Sequence, residues 1–344
     1  MPGFTPTGSM SVSRSLRSAA VLADGRVLVA GGRDAQGALL TTAEVYDPQS
    51  GTWTPTGSPV QAHDRAVLVA VAGGAVLVGG DEGAPDTLLE RWDASTGQWT
   101  ATVVPPFTRR VSGAWVDGDR LLVLSAPESI LDDMEFRSID LTGGQVDKLP
   151  PPITARLHTY ECRLSDGRIL LAGGACAGIG GDGEPVEYLT RECEVYDPAT
   201  GAWQAVGDLS VPHLSLDRAA QALVALPDGG ALLVCGSAPG GDGRTEVVER
   251  WSGATGAWTL QPPLTESRDA HTTTLLADGS VLVVGGEGPA GVRSDCHSFD
   301  LAGAAWSGAD GLSRPRLGHV AVALAGSRVL VVDGAGDGSC ERFG

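Results

Sequence analysis

The stretch "ADGRVLVAGG" at residues 23–32 returns as "SDGRILLAGG" at 165–174 and as "ADGSVLVVGG" at 277–286. Asp-Gly suits a two-residue hairpin turn with positive φ, and the Val/Leu/Ile run after it reads as a buried strand ended by two glycines. Working outward, each copy continues into a second signature: "AEVYDPQSGTW" (43–53), "LERWDASTGQW" (89–99), "CEVYDPATGAW" (193–203), "VERWSGATGAW" (248–258) and "CHSFDLAGAAW" (296–306). An aromatic residue, a turn and a Trp recur in that order. Such self-similarity marks a repeat architecture, in which one unit cannot bury its apolar faces alone and must stack on its neighbours.

The composition agrees with an all-β chain. Its 344 residues include 49 Gly and 21 Pro with only 5% aromatics, as expected for many short strands joined by tight turns. A formal charge of −18 argues against nucleic acid or an anionic membrane as partner, because affinity for either comes from clustered Lys and Arg. Lys148 is the only lysine, so the positive charge present is forked guanidinium, suited to carboxylate-like groups. The sequence shows no leader pattern and no apolar run of membrane-spanning length, which makes the cytoplasm the expected location. Six cysteines at irregular spacing do not make a disulfide scaffold, and Cys193, Cys296 and Cys340 fall at one equivalent strand position.

The double glycine closing the second strand, the aromatic in the third and the Trp opening the fourth resemble the kelch repeat of bacterial kelch-like proteins. That resemblance covers essentially the whole chain and implies one four-stranded propeller blade per unit. The double glycine starts at Gly31, Gly79, Gly173 and Gly285, with Cys235-Gly236 and Asp333-Gly334 in the same place and a degenerate copy near Leu124 and Ser125, which gives seven blades. The last copy ends at "SCERFG" without its Trp, while "GFTPTGSM" (3–10) matches "TWTPTGSP" (52–59) with Phe4 in the slot of Trp53. The first strand is therefore expected to complete the last blade and remove two open sheet edges. The expected layout is a single seven-bladed kelch-type β-propeller: 1–10 as the outer strand of blade 7, then 11–59, 60–106, 107–152, 153–210, 211–263 and 264–312 as blades 1 to 6, and 313–344 as the rest of blade 7.

In such a propeller the segments leading into each innermost strand, and the loops after each double glycine, gather around one mouth of the central channel. Eleven residues before the hairpin glycine these segments read Arg14, His63, Arg156, Arg218, Arg268 and Arg316; three residues later stand Thr159, His271 and His319, among others. Departures from the repeat add Arg65, His158, Tyr160, Glu161, Asp269, Phe107 and Arg109, and the long glycine-rich loop 176–190 carries Tyr188 as a candidate lid. Arginines would anchor a small anionic molecule: Arg14, Arg65, Arg109, Arg156, Arg218, Arg268 and Arg316, with His319, Phe107 and Tyr188 completing the pocket; Arg268 with His271 and Arg316 with His319 also read as braces between neighbouring blades, a common feature of such repeats. His63, His158, Tyr160, Glu161, Asp269 and His271 would supply acid and base.

Known chemistries of this blade type narrow the field. Galactose oxidase needs an adjacent Tyr-His pair, and "LHTYEC" has the wrong order; the iron-using plant specifier proteins show E-x-x-x-D-x-x-x-H, against Glu266-x-x-Asp269-x-His271 here. No cofactor is expected, although His63, His158, His271 and His319 are the side chains to test for a metal. Sialic acid mutarotases are similar in repeat type, which implies an isomerase, lyase or cyclase reaction. The alternative expectation is a protein-interaction module whose arginines grip an acidic peptide.

Overall fold

A computed structural model describes the chain apart from residues 1–2, 16–17, 81–86, 106–109, 127–128, 130, 182, 215–220 and 239–242. Blade 1 sets the pattern, with antiparallel strands Ala20–Val21, Val27–Ala30, Ala43–Asp47 and Thr52–Thr56 in spatial order. Blades 2 to 7 repeat it from innermost strands at Val67–Val71, Arg110–Asp117, Tyr160–Arg163, Leu223–Ala225, Thr272–Leu275 and Val320–Leu324. The seven sheets form a propeller. Phe4–Thr7 pairs with Cys340–Phe343 as the fourth strand of blade 7, in the register Phe4 opposite Phe343, so the two ends of the described chain close the ring. Among the described residues there is no helix long and apolar enough to cross a membrane.

The second strands are apolar on both faces because each blade is covered on both sides. Val27 and Val29 pack toward Val320, Val322 and Leu330 of blade 7, while Leu28 and Ala30 between them pack toward Leu68, Leu77 and Trp92 of blade 2. Alternation along a strand thus feeds two different interfaces rather than a core and a surface. Seven such clusters occur, one at each boundary between neighbouring blades. The aromatic signature lies within each blade: Tyr46 faces Trp53, Tyr196 faces Trp203 and Phe299 faces Trp306 across the third and fourth strands. Phe4 and Phe343 keep that contact in blade 7, with ring centroids 5.2 Å apart.

The double glycine has a steric cause. Gly31 and Gly32 both have positive φ, and a Cβ on Gly32 would lie 2.2 Å from the Ser15 carbonyl oxygen. A Cβ on Gly31 would lie 2.6 Å from the His63 carbonyl oxygen of the next blade, to which the Gly32 amide donates at 2.7 Å, and Gly174, Gly236 and Gly286 donate likewise to His213, Arg268 and Arg316. Where blade 7 has Asp333 instead, its carboxylate accepts from Ser13 Oγ at 2.8 Å and from the Arg14 amide at 2.9 Å, clasping the last blade to the first.

Candidate functional site

Among the described residues, the basic residue leading into six of the blades is a buried brace. Arg14 donates to Glu44 at 2.8 Å and to the Thr42 and Gly31 carbonyls. Arg156 pairs with Glu194 and donates to the Glu192 carbonyl, and Arg316 pairs with Glu341 at 3.0 Å and donates to the Asp333 and Ser339 carbonyls. In blade 2, His63 Nε2 lies 2.7 Å from Glu90, and in blade 5 His213 Nε2 lies 3.6 Å from Glu249. Each of these glutamates also accepts backbone amides from its lead-in segment, as Glu194 does from Ile153 and Thr154. Each acid therefore fixes the lead-in segment to the third strand. Blade 6 varies the theme, since His297 holds the glutamate position and Arg268 turns to Asp295 at 2.9 Å. Asp295 also receives Arg293 and His297; burial alone would raise its pKa, but these hydrogen bonds and the Arg268 charge hold it well below the usual range.

Several expected ligand contacts are therefore placed elsewhere. The guanidiniums of Arg14, Arg156, Arg268 and Arg316 are closed off from solvent at 0% side-chain exposure and occupied by acids and carbonyls, so each ties its lead-in segment to its own blade. His63 is buried against Glu90 in the same role. In blade 5 the brace is His213, which stands 16 residues before Gly229 where the other braces stand 11 before their glycine, so counting back to Arg218 missed it. Arg218, Arg109 and Phe107 lie outside the described residues. His271 and His319 are buried beside Arg268 and Arg316; burial first, then the adjacent positive charge, lowers the pKa of each to about 3. Both are therefore held in the neutral form at physiological pH, and His271 is enclosed at 0% exposure rather than at the mouth surface.

Tyr160 packs between blades 4 and 5 and donates its hydroxyl to the Leu214 carbonyl at 2.8 Å; burial, then the Asp269 charge, raises its pKa well above the ordinary value. Tyr188 sits on a hairpin, Ala175–Ile179 with Pro185–Leu189, anchored by paired backbone hydrogen bonds between Leu157 and Ala175. It is not among the residues lining the mouth or the channel. Among the described residues no three His, Cys, Asp or Glu side chains group as metal ligands would.

What remains of the expected site converges. All seven blades contribute to a cavity of about 920 Å³ at the mouth, on the face opposite the Asp-Gly turns. Arg33, Arg65, Arg110 and Arg244 line it with Asp64, Asp269, Glu287 and His158. Arg33 donates to Asp64 at 2.7 Å and Arg244 to Glu287 at 2.7 Å, while Ser237 donates to Asp269. Arg65 is the most open, with 55% side-chain exposure and Nε 4.0 Å from Asp64. One backbone feature orders the rim: two residues after the brace the chain turns left-handed, with φ of 56° at Arg65, 57° at His158, 52° at Ala270 and 59° at Gly318, all four lining the cavity. Glycine adopts that conformation at no steric cost, whereas another side chain costs about 1–2 kcal/mol. Blade 7 uses Gly318 and blade 6 the small Ala270; blades 2 and 4 place long polar side chains there.

The family model described as the Kelch motif matches residues 14–59, the segment from the brace Arg14 to the end of blade 1. The chain is a seven-bladed β-propeller whose first blade carries the kelch motif. No curated protein matches it at a significant level. The repeat accounts for the braces, the double glycines and the left-handed turn two residues after four of the braces, and it leaves the arginines that line the mouth unaccounted for. The sequence points to Arg65, His158 and Asp269, all at the mouth, and to Arg110 beside Arg109 without a secure register, but not to Arg33 or Arg244. Arg33 and Arg244 follow the second strand of their blades and Arg110 opens the innermost strand of blade 3; arginine in these places was the available signal.

Proposed function

We propose that this propeller binds a small anionic organic molecule at its mouth, with Arg65 and Arg110 as principal contacts, Arg33 and Arg244 beside them, and His158 at the cavity floor. The observation that carries the reading is the left-handed rim: Arg65 and His158 occupy a backbone conformation that glycine fills more cheaply in blade 7, and strain of this kind collects where a side chain serves a ligand. The gathering of arginines supports it, because guanidinium at a partly desolvated mouth binds carboxylate-like groups bidentately. The cavity volume falls in the range of about 300–1,000 Å³ typical of small-molecule sites, which favours such a ligand over an acidic peptide. Acid–base chemistry of isomerase, lyase or cyclase type fits the same residues, with His158 as the imidazole that reaches the cavity and Asp64 and Asp269 as wall carboxylates. The reading requires no metal.

Thermal melting of wild type and Arg65→Gly against a panel of mono- and dicarboxylates tests it. At least one acid should raise the wild-type melting temperature. Arg65→Gly should melt higher than wild type without ligand, by the relief of about 1 kcal/mol of backbone strain, and lose the ligand-induced rise. A variant that melts lower and keeps the ligand response would sink the proposal.

A further inference from the structure

Blade 3 departs from the brace pattern in two places that explain each other. In blades 1, 2, 4, 5 and 7 a third-strand glutamate faces the basic residue of the lead-in segment and also accepts backbone amides from the start of that segment, as Glu90 does from Val60 and Gln61. The register of blade 3 puts Arg137 in that position: it stands opposite Val123 as Glu90 stands opposite Leu77, with Ile139 in the place of Trp92. The lead-in segment differs to match. It leaves the strand Trp99–Val104 as Pro105-Pro106, and proline has no N–H to offer a glutamate. Arg137 reverses the polarity of the contact, donating to the Pro105 carbonyl at 2.9 Å and pairing with Glu135 at 2.6 Å.

The reversal decides where an arginine of this lead-in can go. Like charges repel, and a guanidinium buried without an acid is strongly destabilising, so the place that takes Arg14, Arg156 and Arg316 in their own blades is closed to an arginine in blade 3. Arg110, which opens the innermost strand of this blade, lines the mouth cavity. Directly after it the pairing of the first two strands shifts register between Val111 and Gly113, a bulge of the sort that re-aims side chains next to binding sites. Arg137 itself is buried and is not among the residues lining the mouth.

Building on the mouth reading, we propose that Arg137 is the positioning residue for Arg110. It holds the lead-in segment by a carbonyl and stands where five other blades hold an acid, and by doing both it keeps Arg110 at the mouth as a contact for the anion. Blade 3 is thereby the blade specialised for ligand, and the sign of one buried side chain separates it from the blades whose lead-in arginine serves as a brace.

Isothermal titration of the full chain with mono- and dicarboxylates from acetate to adipate tests the proposal. Arg137→Glu restores the acid of the other blades and should draw Arg110 from the mouth, weakening binding roughly tenfold, the worth of one charge-assisted hydrogen bond. Arg110→Gln should weaken it by a similar factor, and adding Arg137→Glu to Arg110→Gln should cost nothing more, because the one residue acts through the other. Arg137→Lys keeps the charge and a donor for the Pro105 carbonyl and should bind as wild type does. If melting shows that Arg137→Glu does not fold, Arg137→Gln takes its place, with a smaller loss that again vanishes in the Arg110→Gln background. Wild-type affinity in the charge-altered variant, no loss in Arg110→Gln, or losses that add in full overturns the positioning proposal and leaves the mouth reading standing. Failure of every carboxylate to bind wild type overturns the two together.

Discussion

Acidification from pH 7 to pH 5 should remove about 4 kcal/mol of stability through His271 and His319 alone. Both rings are fully buried, and burial together with Arg268 and Arg316 lowers each folded-state pKa to about 3, against an unfolded value near 6.5. Between those limits the unfolded chain takes up protons that the folded one refuses, so stability rises with pH across the window and is lost as pH falls through it. At pH 5 the unfolded rings lie about 1.5 pH units below their pKa, and at about 1.36 kcal/mol per unit each contributes about 2 kcal/mol. The assay is urea unfolding followed by Trp fluorescence at pH 7, 6 and 5, on wild type and on the double variant His271→Gln/His319→Gln. Glutamine is neutral throughout, so the variant should lose most of the slope in this interval, and the gap in unfolding free energy between the two proteins should change by about 4 kcal/mol. Parallel pH profiles would show that these histidines titrate normally in the folded state and would refute the reasoning.

Other consequences of the fold can be checked one by one. Glu194→Ala leaves Arg156 buried without its acid and frees two lead-in amides, so it should cost about 3–5 kcal/mol in chemical unfolding. Gly32→Ala drives a Cβ into the Ser15 carbonyl at positive φ and should cost about 3 kcal/mol, whereas Gly25→Ala, with nothing within 4 Å of its Cβ, should cost only the strain of its turn, about 1 kcal/mol. Burial pushes the thiols of Cys193, Cys235 and Cys296 up to about 12, so a thiol reagent at pH 8 should leave them unmodified in the folded protein and label them in urea.

The architecture was legible because it is periodic. Asp-Gly, the double glycine and the Trp recur in register, and Phe4 in the place of Trp53 was enough to predict how the ring closes. The sequence suggests a bracing role for Arg268 and Arg316 but not their partners, nor the same role for Arg14 and Arg156, for a physical reason: a sequence shows an arginine without showing the acid that neutralises it. The signal existed, since Glu44, Glu90, Glu194, Glu249 and Glu341 each stand two residues before the third-strand aromatic, and a charged residue repeating on an otherwise buried strand needs an equally repeating partner. Blade 5 failed for another reason. Register was counted from the hairpin, and five additional residues between His213 and Gly229 moved the brace out of the counted slot. The left-handed rim could not be found by pattern at all, because Arg65, His158, Ala270 and Gly318 share a backbone angle and nothing in side-chain type.

A structure of the protein with the strongest-binding carboxylate tests the central claim most directly. The account predicts the carboxylate in the mouth cavity, in hydrogen-bond contact with Arg65 or Arg110 and reaching toward His158. Density for it on an outer rim of the blades, with Arg65 and His158 facing only solvent, would contradict it.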